Sequence, residues 1–228
     1  MKIKLIESAF YPNDNIKINP KATEDDVRRV WRKLNIKKVK VTNEGHIVYD
    51  GSINIVGNSL TIFPFYFDEI MYDFNCSNNN IVSLVDSPSI IGGFFDCSEN
   101  ILTNLDGCPE TIGGRFDFRW NNLTSLEGCP KEFGGGVNCG WNMITTLEGI
   151  PETIKGDFGC RGNKLTSLQH CPINIKGHFD CSRNKLITLK NCPKEVGGEF
   201  RCGNNYINFT EQYVRKYCDV TGEINNED

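Results

Sequence analysis

The fold is decided by the stretch from Phe95 to Leu102, FDCSENIL, because the chain repeats this pattern at a constant interval. Its asparagine, Asn100, belongs to a series that recurs every 21 residues, eight times in succession. The series comprises Asn58, Asn79, Asn100, Asn121, Asn142, Asn163, Asn184 and Asn205. A period this strict predicts a solenoid, in which each repeat forms one coil and buries its apolar side chains against neighbouring coils. The coils are numbered 1 to 8 in the order of these asparagines.

Apolar residues keep fixed positions around each asparagine. In coil 4, Ile112, Gly114, Phe116 and Phe118 alternate with polar residues, which predicts a β-strand. Equivalent strands of successive coils run in the same direction, so the sheet is expected to be parallel. The asparagine ends each strand, where its amide can bond backbone groups left unpaired by the turn. Stacked amides of this kind would form a ladder along the solenoid.

The eleven cysteines follow the repeat as well. Six share the slot three residues before the asparagine, namely Cys76, Cys97, Cys139, Cys160, Cys181 and Cys202. Four share a loop slot, Cys108, Cys129, Cys171 and Cys192, and Cys218 stands apart. Side chains on adjacent strands are about 4.8 Å apart, whereas a disulfide needs Cβ atoms about 3.8 Å apart. Reduced, buried packing thiols are therefore expected, and a disulfide framework or a metal site is the alternative.

Both ends of the chain leave the repeat, and three segments are predicted. Residues 1–52 form an N-terminal α+β cap, 53–207 the repeat array, and 208–228 a capping helix and tail. Within the first segment, Lys2–Ala9 has a loose strand pattern. The run from Thr23 to Asn35 predicts a helix with Thr23 as N-cap and an apolar stripe of Val27, Val30, Trp31 and Leu34. Residues 38–49 predict a β-hairpin.

The repeat resembles the leucine-rich repeat, whose L-x-L-x-x-N-x-L core matches Phe95–Leu102 and Phe179–Leu186. The unit containing Thr124–Pro130, TSLEGCP, is similar to short arrays encoded by bacteria and their phages. The resemblance implies an α/β-type solenoid of about eight coils with a parallel sheet. It also implies a protein-binding surface on the strand face. One departure is that the apolar residue preceding the strand falls one position early, at Ile112 in coil 4.

The outward slots differ from coil to coil, and this variation suggests a partner-binding site. Trp120 and Trp141 occupy the same outward slot one coil apart, so they are expected to stack. Exposed tryptophan beside arginine is typical of interface hot spots. The predicted partner-binding residues are Arg115, Asp117, Arg119, Trp120, Trp141, Arg161, His178 and Arg183.

Three other interpretations of the charged and aromatic surface stay open. The tryptophans could cover a neighbouring loop, or stack against arginines as an isolated surface feature. They could stack on single-stranded nucleic acid, but Asp96, Asp117 and Asp180 share that face and disfavour phosphates. The basic run Arg28–Lys40 is a second candidate site, although such runs are commonly solvated helix faces.

Other classes of function are disfavoured. The three histidines, His46, His170 and His178, form no recognisable catalytic pattern, so neither enzymatic activity nor a cofactor is expected. No run of about 18 apolar residues predicts a membrane span, and the start lacks a secretory h-region, so a cytoplasmic location is expected. The leading hypothesis is a non-enzymatic protein-binding scaffold in a bacterial cell, and the resemblance suggests binding or inhibition of a host protein. The alternative is a structural or adhesive component of a larger assembly, and an enzyme whose site lies in the first 50 residues is a weaker third hypothesis.

Overall fold

The computed structural model describes residues 17–227 and shows a solenoid built around a parallel front sheet of nine strands. Strand β4 (Ile53–Asn54) opens this sheet, and each coil adds one two-residue strand in register with the last. The others are β7 (Phe74–Asn75), β9 (Phe95–Asp96), β11 (Phe116–Asp117), β12 (Val137–Asn138), β14 (Phe158–Gly159), β16 (Phe179–Asp180), β18 (Phe200–Arg201) and β20 (Ile224–Asn225). The predicted solenoid of about eight coils with a parallel sheet is confirmed. The predicted strand at Lys2–Ala9 lies outside the described residues.

A second row of short strands forms the back of the solenoid. Its members are β6 (Glu69–Ile70), β8 (Ile90–Ile91), β10 (Thr111–Ile112), β13 (Thr153–Ile154), β15 (Asn174–Ile175), β17 (Glu195–Val196) and β19 (Asp219–Val220). The expectation of one strand running from Ile112 to Phe118 is therefore wrong, because β10 and β11 belong to different sheets. The chain turns a tight corner between them. A Cβ atom on Gly113 would lie 2.0 Å from the carbonyl oxygen of Gly92 in the preceding coil, so only glycine fits there.

The core lies between the two rows of strands. In coils 1 to 8 the first residue of the front strand is buried, and phenylalanine rings of neighbouring coils stack, with 5.4 Å between the ring centroids of Phe95 and Phe116. The six cysteines of the front-strand slot are fully buried. All eleven cysteines are free thiols and nine are buried, which confirms the prediction of packing thiols. Burial raises the pKa of these front-strand thiols by penalising the thiolate.

The predicted asparagine ladder is present. The Nδ2 of Asn121 donates to the carbonyl oxygen of Phe118 in its own coil and to that of Cys97 in the preceding coil, both at 3.1 Å. Its Oδ1 accepts from the backbone N–H of Leu102 at 2.9 Å. Asn79, Asn100, Asn142, Asn163 and Asn184 bond in the same way. The ladder joins each coil to the one before it.

The N-terminal segment covers the first coil. Helix α1 (Glu24–Trp31) begins at the predicted N-cap Thr23, whose hydroxyl and Asp26 form a reciprocal capping box. Val27 and Val30 are buried in the common core. The predicted hairpin is formed by β2 (Val39–Val41) and β3 (Ile47–Tyr49), and β3 pairs in parallel with β6, so it opens the back sheet. Strand β1 (Lys17–Ile18) pairs antiparallel with β5 (Phe65–Tyr66).

The C-terminal segment contains more than the predicted helix. Helix α2 (Glu211–Arg215) begins at N-cap Thr210, and Val214 packs into the core. The chain then adds β19 to the back sheet and β20 to the front sheet, which makes a ninth rung. In residues 17–227, no helix combines the length and apolar character needed to cross a bilayer.

The two sheets differ in continuity. The front sheet runs unbroken through all nine strands, and Val137 N–H donates to Asp157 O at 2.7 Å where coil 5 meets coil 6. The back sheet consists of β2-β3-β6-β8-β10, extended to Phe133 by a single bridge, and a separate group from β13 to β19. The back of the solenoid is therefore interrupted between Phe133 and Thr153.

Candidate functional site

The residue before each ladder asparagine has a left-handed backbone conformation in all eight coils. These residues and their φ angles are Gly57 (67°), Asn78 (53°), Glu99 (53°), Trp120 (55°), Trp141 (53°), Gly162 (70°), Arg183 (53°) and Asn204 (51°). Glycine and asparagine adopt this conformation readily, whereas a bulky side chain seldom does. Trp120 and Trp141 are the bulkiest residues in this row, which we call the left-handed row.

The two indole rings stack as predicted. Their centroids are 4.7 Å apart and their planes differ by 8°. Trp120 is 50% exposed, while Trp141 is partly covered. A Cβ atom on Gly162 would lie 2.7 Å from Cε3 of Trp141, so the indole rests in the space that this glycine leaves open. The guanidinium carbon of Arg161 lies 5.9 Å from the centroid of Trp141, within the range of a cation–π contact.

Arg115 and Arg119 flank the carboxylate of Asp117. Arg115 contacts Asp117 Oδ2 at 2.7 Å, and the Nε of Arg119 lies 3.6 Å from Oδ1. The Asp117 side chain is only 7% exposed, and burial raises the pKa of its carboxyl while both arginines oppose the rise. The prediction that Asp117 contributes to the outer surface therefore needs correction, because its carboxylate is covered and holds the two arginines in place.

The C-terminal side of the site contains a second set of charges. Arg161 lies 4.0 Å from Asp180, and Arg201 contacts Glu199 at 2.6 Å. His178 accepts the backbone N–H of Glu199 at Nδ1, 2.9 Å away, so its ring proton is on Nε2. These residues stand on β14, β16 and β18 or directly beside them.

These side chains surround a depression of about 290 Å³, which we call the arginine notch. Its walls include Arg115, Arg119, Trp141, Arg161, His178 and Arg201. Its floor includes Gly140 and Gly159, where two outward slots have no side chain. Five of the eight predicted residues line the notch, and Trp120 adjoins it through the stack with Trp141. Arg183 lies two coils beyond Trp141 in the left-handed row and is not part of the lining.

The residues that give the notch its shape were not predicted from the sequence. These are Gly140, Gly159 and Gly162, with Asn138, Asp157, Asp180 and Arg201 around them. The available signal was glycine in outward slots that hold a residue with a side chain in most other coils.

Three residues of the basic run Arg28–Lys40 pair with neighbouring carboxylates. Arg28 pairs with Glu24, Arg29 with Asp26 and Lys40 with Asp50. Lys33 reaches the carbonyl oxygen of Val56 at 3.5 Å. The three ion pairs lie within the N-terminal segment, and the Lys33 contact joins this segment to coil 1.

The metal-ligating and nucleophilic side chains were also compared in the part of the chain that the structure describes. Across residues 17–227, no three His, Cys, Asp or Glu side chains meet in a group that could hold a metal ion. Burial raises the pKa of Cys171, so the thiol beside His170 is a poor nucleophile at neutral pH. The arrangement supports non-covalent recognition by aromatic rings and guanidinium groups.

Comparisons with known proteins give a likeness in structure but none in sequence. No family model and no curated protein matches the sequence. Among solved structures, the chain is similar to YopM from Yersinia enterocolitica WA-314, with a TM-score of 0.44 and 14% sequence identity. The likeness covers 91% of this chain and 56% of that one, so this chain spans little more than half the length of its structural neighbour.

Proposed function

We propose that the protein is a non-enzymatic scaffold that binds a protein partner through the Trp120–Trp141 stack and the arginine notch. The observation that carries this proposal is the stack itself. Two indoles stand side by side in a backbone conformation that disfavours them, and one is half exposed. Aromatic rings beside arginines provide large, rigid contact area, and such residues dominate the binding energy of many interfaces.

We further propose that the protein acts inside a cell. The eleven cysteines are free and mostly buried, which suits a reducing compartment. A bacterial cell as the setting and a host protein as the target are the specific forms of this proposal, and both come from the resemblance to leucine-rich repeat arrays.

The test is capture of a partner from bacterial lysate by the immobilised full chain. The wild type is compared with Trp120→Ala/Trp141→Ala, and Tyr206→Ala is the matched control. Tyr206 is 67% exposed and lies outside the notch lining, so its removal deletes a comparable aromatic surface elsewhere. We expect a discrete partner whose recovery falls about tenfold or more in the double variant and is unchanged in the control. Equal recovery by the double variant would show that the site is assigned wrongly.

A second candidate function, a structural part of a larger assembly, is favoured by the C-terminal end. Ile187, Tyr206 and Ile207 are 58%, 67% and 46% exposed there, although the residue equivalent to Ile207 in coil 7, Leu186, is fully buried. Exposed apolar side chains at a solenoid end can support self-association. Sedimentation of the purified chain tests this candidate: a stable oligomer that Ile187→Ser/Ile207→Ser dissociates supports it, and a monomer at all concentrations excludes it.

A further inference from the structure

The arginine notch exists because one coil departs from a rule that its neighbours obey. The second residue of each front strand is asparagine or aspartate in coils 1 to 5 and in coil 7. In each of them the side-chain oxygen accepts the backbone N–H two residues later, as Asn138 does from Gly140 at 3.0 Å and Asp180 from Ser182 at 3.0 Å. Coil 6 has Gly159 in this slot. The missing side chain opens the floor of the notch between Arg161 and Asn138.

A second gap lies at the edge of the notch. Outward side chains there accept backbone N–H groups of the following coil, as Asp157 does from His178 at 2.8 Å and His178 from Glu199 at 2.9 Å. Gly136 has no side chain to offer to Asp157, and a Cβ atom on it would lie 2.8 Å from that backbone nitrogen. Within residues 17–227, the N–H of Asp157 has no hydrogen-bond partner. A donor without an acceptor therefore stands beside the notch.

The charges of the notch are layered. The side chains of Arg115, Arg119 and Arg201 are 53%, 44% and 50% exposed, and that of Arg161 is 32% exposed. The carboxylates that pair with them lie deeper, since Asp117, Asp180 and Glu199 are 7%, 20% and 17% exposed. Asp117 and Asp180 are also held by backbone N–H groups. Asp157 is the exposed carboxylate of the lining, and its Oδ1 accepts the backbone N–H of His178. Away from Asp157, a group entering the notch meets guanidinium donors first.

We propose that the notch receives an anionic side chain of the partner, a glutamate or aspartate carboxylate, next to an apolar residue that packs on the tryptophan stack. Guanidinium forks match carboxylate geometry, and the N–H of Asp157 and the Nε2–H of His178 supply further donors. This inference rests on the proposed function, because it assigns the chemistry of the partner at the same site.

Gly159→Asp and Gly159→Asn form a matched pair for the test. Both restore the residue type that the slot holds in most coils, so both are expected to fold. A Cβ atom on Gly159 would come closest to Asn138 Oδ1, at 3.1 Å, which is a side-chain atom that can shift. The two variants fill the floor of the notch equally, and only Gly159→Asp adds a negative charge.

The probes are three blocked peptides, acetyl-Gly-Phe-X-Phe-Gly-amide, in which X is glutamate, glutamine or phosphoserine. Each is titrated into the full-length wild type and both variants, and binding is followed by NMR shifts of the Asp157 amide and the Trp141 indole. We expect saturable binding of the glutamate peptide by the wild type, with Kd below about 1 mM, and about tenfold weaker binding of the glutamine peptide. Gly159→Asn should keep this preference. Gly159→Asp should bind the glutamate peptide about tenfold more weakly than Gly159→Asn does.

Three outcomes would overturn the proposal: no saturation with the glutamate peptide, equal affinity for the glutamine peptide, or equal behaviour of the two variants. Binding of the phosphoserine peptide without the glutamate peptide would assign the notch to phosphate and overturn the carboxylate form. Loss of lysate capture in Trp120→Ala/Trp141→Ala together with a failed peptide test would leave the scaffold standing and remove only the notch assignment. If Trp120→Ala/Trp141→Ala captures the partner as well as the wild type while the Gly159 variants differ in peptide binding, the notch assignment stands and the proposed role of the tryptophans in partner capture falls.

Discussion

At the scale of single residues, the left-handed row contains backbone conformations that destabilise the folded chain. A left-handed conformation costs roughly 1–2 kcal/mol for a residue with a Cβ atom. A stacked aromatic pair contributes about 0.5–1.5 kcal/mol beyond its buried area. The stack of Trp120 on Trp141 therefore does not clearly offset the strain of two such residues. Strain retained at an exposed position is typical of binding sites, which is why the stack carries the proposed function.

This strain can be measured at Trp120. We expect Trp120→Gly to be more stable than Trp120→Ala by about 1 kcal/mol, because glycine tolerates the φ of 55° and alanine does not. Both variants lose the same stacking partner, so the difference isolates the backbone term. Urea unfolding of the two variants gives the comparison. An alanine variant as stable as the glycine variant would mean that the backbone relaxes out of the left-handed region.

The covered carboxyl of Asp117 predicts a dependence of stability on pH. Burial raises its pKa above the ordinary value of 3.8, so the folded chain holds the proton more tightly than the unfolded chain. Protonation of this carboxyl therefore stabilises the folded chain most below about pH 3.8. The stabilisation is lost as the pH rises through the pKa that the carboxyl has in the folded chain. Asparagine fills the same slot in coils 2 and 5 and makes the same backbone hydrogen bond.

We therefore expect the free energy of unfolding of Asp117→Asn at pH 7 to equal that of the wild type or to exceed it by up to about 1 kcal/mol. This advantage should shrink as the pH falls towards 3.8. Urea unfolding of both chains between pH 3 and pH 7 measures it. A variant whose relative stability improves on acidification would contradict the assignment of burial as the cause.

The thiols provide a third test at this scale. Burial raises the pKa of Cys129 and of Cys202 to about 12, so little thiolate exists at pH 8. We expect the front-strand cysteines to resist a thiol reagent such as DTNB in the folded protein. All eleven should react in denaturant without a reductant, because they are free. Fewer than eleven titrated thiols in unreduced, denatured protein would reveal disulfides and refute the packing scheme.

At the scale of elements, the front strands could be predicted and the back strands could not. The front strand combines a period of two with a fixed phenylalanine slot, as at Phe116 and Phe118, and this pattern is specific to strands. The back strand of coil 4 contributes only Ile112 to the core, followed by Gly113. A single buried residue gives no alternating pattern from which a strand could be predicted. The corner at Gly113 depends on close approach to the backbone of the neighbouring coil, which a single repeat does not reveal.

The asparagine ladder makes a prediction that depends on position in the array. Asn121 bonds its own coil and the coil before it, so Asn121→Ala should leave buried backbone groups unpaired and cost about 1–3 kcal/mol. Asn58 in coil 1 donates only within its own coil, to Ile55 O and Val56 O. Asn58→Ala should therefore cost roughly half as much or less. Equal losses in chemical denaturation would show that bonds between coils add nothing to the ladder.

At the scale of the whole molecule, the site needed the assembled solenoid to become visible. The tryptophans and arginines could be found from the sequence because residue type and a shared slot place them on one face. The notch could not, because it is an absence of side chains at Gly140 and Gly159, and its depth depends on coils 4 to 8 together. The ninth rung was also missed. Its strand, Ile224–Asn225, follows a helix that interrupts the 21-residue period.

The interruption of the back sheet predicts where the solenoid is least cohesive. The N–H groups of Lys176 and Gly177 donate to Ile154 O and Gly156 O of the preceding coil, both at 3.0 Å. The equivalent groups of Lys155 and Gly156 have no hydrogen-bond partner among residues 17–227. We expect the Lys155 and Gly156 amides to exchange with deuterium at least about tenfold faster than those of Lys176 and Gly177.

The front sheet provides the internal control for this exchange measurement. The amide of Val137 is bonded across the same boundary between coils 5 and 6, so it should be protected as well as that of Phe158, one coil further on. Slow exchange at Lys155 and Gly156 would show that the back of the solenoid closes in solution. Fast exchange at Val137 and Phe158 as well as at Lys155 and Gly156 would mean that whole coils separate. We expect fast exchange at the back of the solenoid and slow exchange at the front. This pattern would place a flexible joint directly behind Asn138 and Gly159. Bending at this joint would change the width of the arginine notch.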